Sequence, residues 1–316
     1  MHDIIAFLKG AVSRAPNPGM MGCYIANGDA LFAYNGQIQA GVSLDTGAKF
    51  NVPAVELEAA LARMPEVKSL AFDGEALQIN GGRVRATIQC IVDEPPSFPI
   101  IPDEWTPCHA SFADALKLAL PFTGEQGWTA GIQISNGIIT AIKNTGGIRI
   151  AMPSLEMPEP ALITKDCAEF IAAQGSPADY ASHQSALFFR WADGRWLRAQ
   201  LLNVKMPESV ESIFEKAGAS APCEITDDWR AAYEDVAALS EGRIQFDNQG
   251  WRSAKGAGRA FIEIETPALP ENHESKWQTD VLGPVIACAS AWNPAAYPNP
   301  ALFIGESFKG VVVGIR

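Results

Sequence analysis

The chain has 316 residues, 47% apolar and 19% charged, a composition that fits a globular protein of two or three domains. Its formal charge of −12 argues against a surface coated generally with nucleic acid, while leaving room for a small basic face. No apolar run approaches the roughly 20 residues that span a bilayer, and the N-terminus has no basic stretch ahead of an apolar one, so neither membrane nor signal peptide is predicted. Six scattered cysteines without paired spacing read as reduced thiols of a cytoplasmic protein rather than disulfides or a zinc site.

In chain order, HDIIAFLKGAVSRA predicts a helix, followed by strands that turn at Asn27-Gly28. VPAVELEAALARMPE predicts a second helix, with Val55, Leu57, Leu61 and Met64 on helical spacing, and EALQINGGRVRATIQ a hairpin turning at Gly81-Gly82. A proline-rich stretch runs from Asp93 to Trp105. The order then repeats. SFADALKLALPFT predicts a helix, the following strands turn at Asn136-Gly137, and LITKDCAEFIAAQG predicts another helix with Thr164 as N-cap and Gly175 as its stop. ALFFRWADGRWLRAQLL closes this pass as a hairpin at Asp193-Gly194. A second proline-bearing connector, Asn203 to Glu224, has room for a short helix. The third pass has a helix over DDWRAAYEDVAALS and strands turning at Gln249-Gly250. A helix over ESKWQTDVLGPVIACASAW follows, which Gly283-Pro284 should kink or restart, and then the hairpin ALFIGESFKGVVVGIR.

Three landmarks drift together. Phe7, Leu116 and Tyr233 mark the first helices, Leu57, Cys167 and Leu282 the second, and Leu77, Leu187 and Leu302 the last hairpins, at steps of about 110 and about 115 residues. The predicted fold is therefore α+β, with three tandem copies over 1–102, 103–207 and 208–316, each a doubled helix–strands half-unit.

Catalytic patterns are not found. His2, His109, His183 and His273 sit in no metal-binding spacing, and His109 beside Cys108 falls on opposite faces if extended. KGAGRAF (Lys255 to Phe261) lacks the spacing of a phosphate loop, and Asp227-Asp228 reads as a helix cap. No enzyme activity, cofactor or metal is expected.

This layout resembles the bacterial sliding clamp, the beta subunit of DNA polymerase III. SFADALKLALPFTGEQ resembles the helix opening the clamp's second domain, and GIQISNGIITAIKNTGGIRIAM the strands after it, ending like the family's Thr-Asp-Gly-His-Arg-Leu-Ala segment. PPSFP (Pro95 to Pro99) and KMPES (Lys205 to Ser209) stand where clamps close a domain, and FKGVVVGIR resembles the family's last strand. Gly146, Ile148 and Gly314 depart from the family pattern, which fits a divergent member of the kind a phage encodes. The resemblance implies a homodimer, two three-domain chains forming a six-domain ring, that encircles duplex DNA without sequence preference and tethers polymerase and clamp loader through short peptide motifs. On that reading Lys9, Arg63, Lys117, Lys165, Arg230 and Lys276 are the DNA-facing cations; each taken alone reads as part of a solvated helix face. The partner-peptide pocket would use Thr145, Gly147, Arg149, Ile150, Pro207, Val311, Val312, Ile315 and Arg316, with Ile150, Val312 and Ile315 as an apolar floor. The alternative is a clamp-like protein-binding scaffold that does not encircle DNA.

Overall fold

A computed structural model describes the chain except residues 92, 95–96, 158, 184, 218–221, 254–259, 265–268, 270–272 and 316. Among the described residues seven α-helices form: α1 (His2–Leu8), α2 (Ala54–Leu61), α3 (Phe112–Ala119), α4 (Lys165–Gln174), α5 (Ser209–Ala217), α6 (Asp227–Ala238) and α7 (Thr279–Ile286). Helices this short are marginal alone and depend on burying one face. The landmarks do that: Phe7, Leu116 and Tyr233 are buried on α1, α3 and α6, and Leu57, Cys167 and Leu282 on α2, α4 and α7. At the start of α6 the cap is Thr226, whose Oγ1 accepts from the Trp229 amide at 3.3 Å. Asp227 and Asp228 lie in the first turn instead, where they complement the helix dipole.

The last predicted helix starts later than its sequence suggested. Glu274–Gln278 is a strand, paired antiparallel with Arg243–Asp247. Ser275 and Trp277 are buried while their neighbours are not, a period of two, and the Trp277 indole N–H donates to Ser275 Oγ at 3.0 Å. Lys276 therefore sits on a strand. From Thr279 the helix α7 runs through Pro284 without restarting, with the Ala287 amide still reaching the Gly283 carbonyl at 3.1 Å.

The chain divides into two compact units. Unit 1 holds Met1–Ala113 and Asp166–Leu201, unit 2 Asp114–Lys165 and Leu202–Arg316. Compactness thus follows the sheets, because each large sheet takes strands from two consecutive copies of the repeat. In unit 1 the eight-stranded sheet has the order Lys49–Pro53, Cys23–Asn27, Ala30–Tyr34, Ile38–Ser43, Trp196–Gln200, Ala186–Arg190, Asp179–His183, Thr106–Pro107. The junction is antiparallel, with Trp196 opposite Gly41 and Ala199 opposite Ile38. In unit 2 the order is Ala161–Thr164, Gly131–Ser135, Ile138–Lys143, Gly146–Ala151, Phe308–Val312, Ala301–Ile304, Ala291–Trp292, Cys223–Glu224. Its junction sets Gly146 opposite Val312 and Arg149 opposite Lys309.

Two smaller sheets remain. Unit 1 has three strands, Ser69–Phe72, Ala76–Gly81 and Val84–Gln89; unit 2 has four, in the order Phe261–Glu263, Gly250–Ser253, Arg243–Asp247, Glu274–Gln278. Aromatic packing anchors both units. Phe7 on α1 meets Phe170 on α4 edge-on at 5.2 Å and Trp191 at 5.3 Å. In unit 2, Trp229, Phe246, Trp251 and Trp292 form a ring cluster with centroids 4.7–6.0 Å apart. Such pairs add about 0.5–1.5 kcal/mol each beyond the area they bury.

Candidate functional site

The candidate peptide pocket is built on the central strand pair of unit 2. Neighbouring residues on a strand point to opposite faces, and directly opposed residues share one. Gly147, opposite Val311, and Arg149, opposite Lys309, therefore lie on one face; Gly146, Ile150 and Val312 lie on the other. That second face is core. A Cβ on Gly146 would come within 3.2 Å of Val281 on α7, and Ile150 and Val312 are 4% and 0% exposed. The expectation of Ile150 and Val312 as an open apolar floor is corrected accordingly: they stand under the helices, out of reach of a ligand on the Arg149 face.

The Gly147–Arg149–Val311 face is covered by α5. The connector helix has Val210, Phe214 and Ala217 at spacings of four and three, so one side is apolar, and these three pack on Ile142, Leu302 and Val311. Pro207, itself exposed, starts the helix: its carbonyl accepts from the Val210 amide at 3.1 Å. Gly147 is needed here because a Cβ would sit 2.9 Å from Ile142. The Arg149 guanidinium donates to Glu211 at 2.5 Å and lies 5.7 Å from the Phe214 ring. Beside the helix a groove of about 340 Å³ remains, lined by Ile138, Arg149, Ala151, Ile304, Phe308 and Lys309 among others. Its apolar floor suits the apolar side chains of a short peptide, and its rim carries two cations, Arg149 and Lys309, together with Glu306.

The structure thus gathers Gly147, Arg149, Val311 and Pro207. Thr145 is in the turn before them, its carbonyl accepting from the Val313 amide at 2.9 Å and its Oγ1 buried without a partner. Ile315 runs along the strand of Lys276, to whose carbonyl its amide donates at 2.7 Å. Arg316, like Lys255–Arg259 of the glycine-rich stretch, lies outside the described residues. The sequence reading missed Ile142, Phe214, Leu302, Ile304 and Lys309. Counting alternation across the hairpins and the apolar spacing of SVESIFEKA would have found them.

The candidate DNA-facing cations are mostly engaged. Lys9 approaches Glu58 at 3.3 Å, and the same carboxylate takes Arg14 at 2.5 Å and the Tyr24 hydroxyl at 2.8 Å. Burial raises the Glu58 pKa, but these hydrogen bonds outweigh it and hold the carboxyl below its ordinary range. Lys117 pairs with Asp114 one helical turn away at 3.3 Å. Arg230 clasps the end of α7, donating to the Ala289 carbonyl at 2.7 Å and the Ile286 carbonyl at 3.4 Å, while also binding Asp227 at 2.6 Å. Lys276, on its strand, pairs with Glu274 at 2.9 Å. Arg63, just past α2, and Lys165, the first residue of α4, are exposed. On the six helices that recur in the repeat, α1, α2, α3, α4, α6 and α7, eleven carboxylates stand against three cations, so these faces are acidic.

Other chemistry is local. His109 Nδ1 accepts from the Ser111 amide at 3.2 Å, an ordinary turn contact. Among the described residues no group of three His, Cys, Asp or Glu side chains is placed to hold a metal, and no helix is long and apolar enough to cross a membrane.

No family model matches the chain, and no curated protein matches it. Solved structures do. The Caulobacter crescentus polymerase III beta subunit superposes with a TM-score of 0.78 at 15% identity, covering 99% of this chain and 97% of that one. A Pseudomonas aeruginosa DNA polymerase sliding clamp with ligand gives 0.77 at 12% identity, covering 99% and 96%. A Helicobacter pylori beta clamp bound to a DNA ligase peptide gives 0.76 at 12%, covering 99% and 97%. From end to end, then, the chain carries the three-domain fold of the bacterial DNA polymerase III beta sliding clamp.

Proposed function

We propose that the chain is a DNA sliding clamp, a replication processivity factor whose domains divide near 1–102, 103–207 and 208–316. Two copies form a cytoplasmic homodimeric ring around duplex DNA, and partners such as a polymerase and a clamp loader dock by short peptides on the Arg149 groove. The reading requires no covalent chemistry and no cofactor.

One observation carries it. In each large sheet, the third strand of one copy's first half pairs with the last strand of the next copy: Ile38–Ser43 with Trp196–Gln200, and Gly146–Ala151 with Phe308–Val312. The corresponding strands left over are Phe261–Glu263 and Val84–Gln89, each at the edge of its small sheet. Open edges invite pairing. Joining these two in trans, twice around a two-fold axis, repeats the same junction and completes six half-sheet pairs without a free end. Exposed Arg85 on one edge and exposed Glu263 on the other give that pairing a complementary charge.

The test is mass and topology. The 33.9 kDa chain should run near twice its mass, and Arg85→Glu should shift it toward monomer, with Glu263→Arg restoring the dimer. The dimer should stay on nicked circular DNA and leave once the circle is cut. A strict monomer at micromolar concentration overturns the ring. The second reading, a protein-binding scaffold that does not encircle DNA, is favoured by the acidic helix faces; it gives a dimer that captures peptide but is never retained on circular DNA.

A further inference from the structure

Resting on the ring reading, we infer that the helix faces presented to DNA repel it. Retention then rises with ionic strength, the opposite of ordinary phosphate binding. The six recurrent helices hold eleven of the chain's 36 carboxylates and only three of its 24 Lys and Arg residues. Ten of those carboxylates are exposed; Glu58 alone is half-buried. Most nearby cations are engaged: Lys9 just after α1 pairs with Glu58, Lys117 with Asp114, and Arg230 with Asp227 and the end of α7, while Arg63 just past α2 is exposed. Ala6, Ala59, Ala231 and Ala238 are exposed among the acids and contribute no donor.

Duplex DNA carries one negative charge per about 1.7 Å, and a protein that neutralises phosphates loses affinity as salt rises, with a slope of about −0.9 per phosphate. A lining with so few free cations makes few such contacts. What remains is like-charge repulsion, whose reach falls from about 30 Å at 0.01 M salt to about 8 Å at 0.15 M. The hoop holds DNA by being closed, and screening lowers the cost of threading it.

The experiment loads the full-length dimer onto nicked circular plasmid across 0.01 to 0.2 M NaCl. It scores protein co-eluting with DNA before and after the circle is cut, and checks dimer mass at each salt. Retention should rise by about two-fold or more over that range, because the screening length shrinks several-fold. Replacing Glu56→Lys together with Glu234→Lys, both exposed, should flatten the rise, because the six helices then hold nine carboxylates against five cations. Wild-type retention that is flat or falls with salt, yet disappears on linearisation, overturns this inference and leaves the ring intact. An unchanged profile in the double variant also overturns it, since DNA would then not meet these faces. A dimer never retained at any salt overturns the ring reading and this inference with it.

Discussion

The two large sheets share a plan, and the outer face of each junction is covered by a connector, but the covers differ. In unit 1 the cover comes from the described part of the proline-rich connector, where Phe98 stands edge-on to Phe32 and to Trp196, 5.5 Å from each. The Trp196 ring lies against Gly41, where a Cβ would clash with it. Ile101 also joins this apolar patch. In unit 2 the connector is α5, and where unit 1 has a tryptophan on a glycine, unit 2 has Arg149 held by Glu211 beside an open groove. The sheet repeats; the connector decides whether its face is sealed or usable. Proline in the first connector removes amide donors and favours an extended strip, while SVESIFEKA has helical spacing and an apolar stripe.

Substitutions at the two covers should separate them. Trp196→Ala should have the largest effect, about 3–5 kcal/mol lost in urea unfolding, because a large buried ring leaves a cavity beside Gly41. A loss below about 1 kcal/mol would mean that the first cover is not a seal. Phe214→Ala should cost less, about 2–4 kcal/mol, since the ring is carried by the lone helix α5 onto Ile142, Leu302 and Val311. Unlike Trp196→Ala, it should also change capture of a short apolar peptide at the groove, read by fluorescence anisotropy. Equal peptide binding in both variants would break the comparison. A double-mutant cycle on Arg149 and Glu211 should give a coupling of about 1 kcal/mol or less, because Glu211 is solvated and the pair is screened.

The smallest effect is in pH. Burial holds His273 below its ordinary value near 6.5, so the native state favours the neutral ring. The stability this gives to unit 2 is complete above about pH 6.5 and declines as pH falls below it. Glu58 in unit 1 keeps its charge to lower pH than an ordinary carboxyl near 4.5, so its contribution is complete above that value and goes only as pH falls further. Hydrogen exchange followed from pH 7 to 4 should therefore show unit 2 weakening first, and His273→Gln should remove that early onset.

Much of this was readable in the residues. Leu57, Cys167 and Leu282 announce their helices because each is the buried member of a 3.6-residue pattern. Lys276 was misplaced because an alternating run, Ser275 and Trp277 inward, abuts a helical one at Thr279 without a turn residue between them. Ile150 and Val312 were assigned to an open floor because apolar character does not tell which face of a strand is covered. That depends on α5 and α7, brought to Ile150 from about 60 and 130 residues away. The sharing of each sheet between consecutive copies was equally hidden, since a repeat shows its period and not its partner.

The strand Phe308–Val312 sits in the middle of the second large sheet, between Gly146–Ala151 and Ala301–Ile304. On a ribosome adding about 5–20 residues per second, Gly146–Ala151 therefore waits on the order of 10–30 s for its neighbour, as Ile38–Ser43 does for Trp196–Gln200 in unit 1. During that interval an apolar strand is bare on one side at the exit tunnel. Vectorial synthesis, more than the finished architecture, is where this protein is most exposed to a holding chaperone.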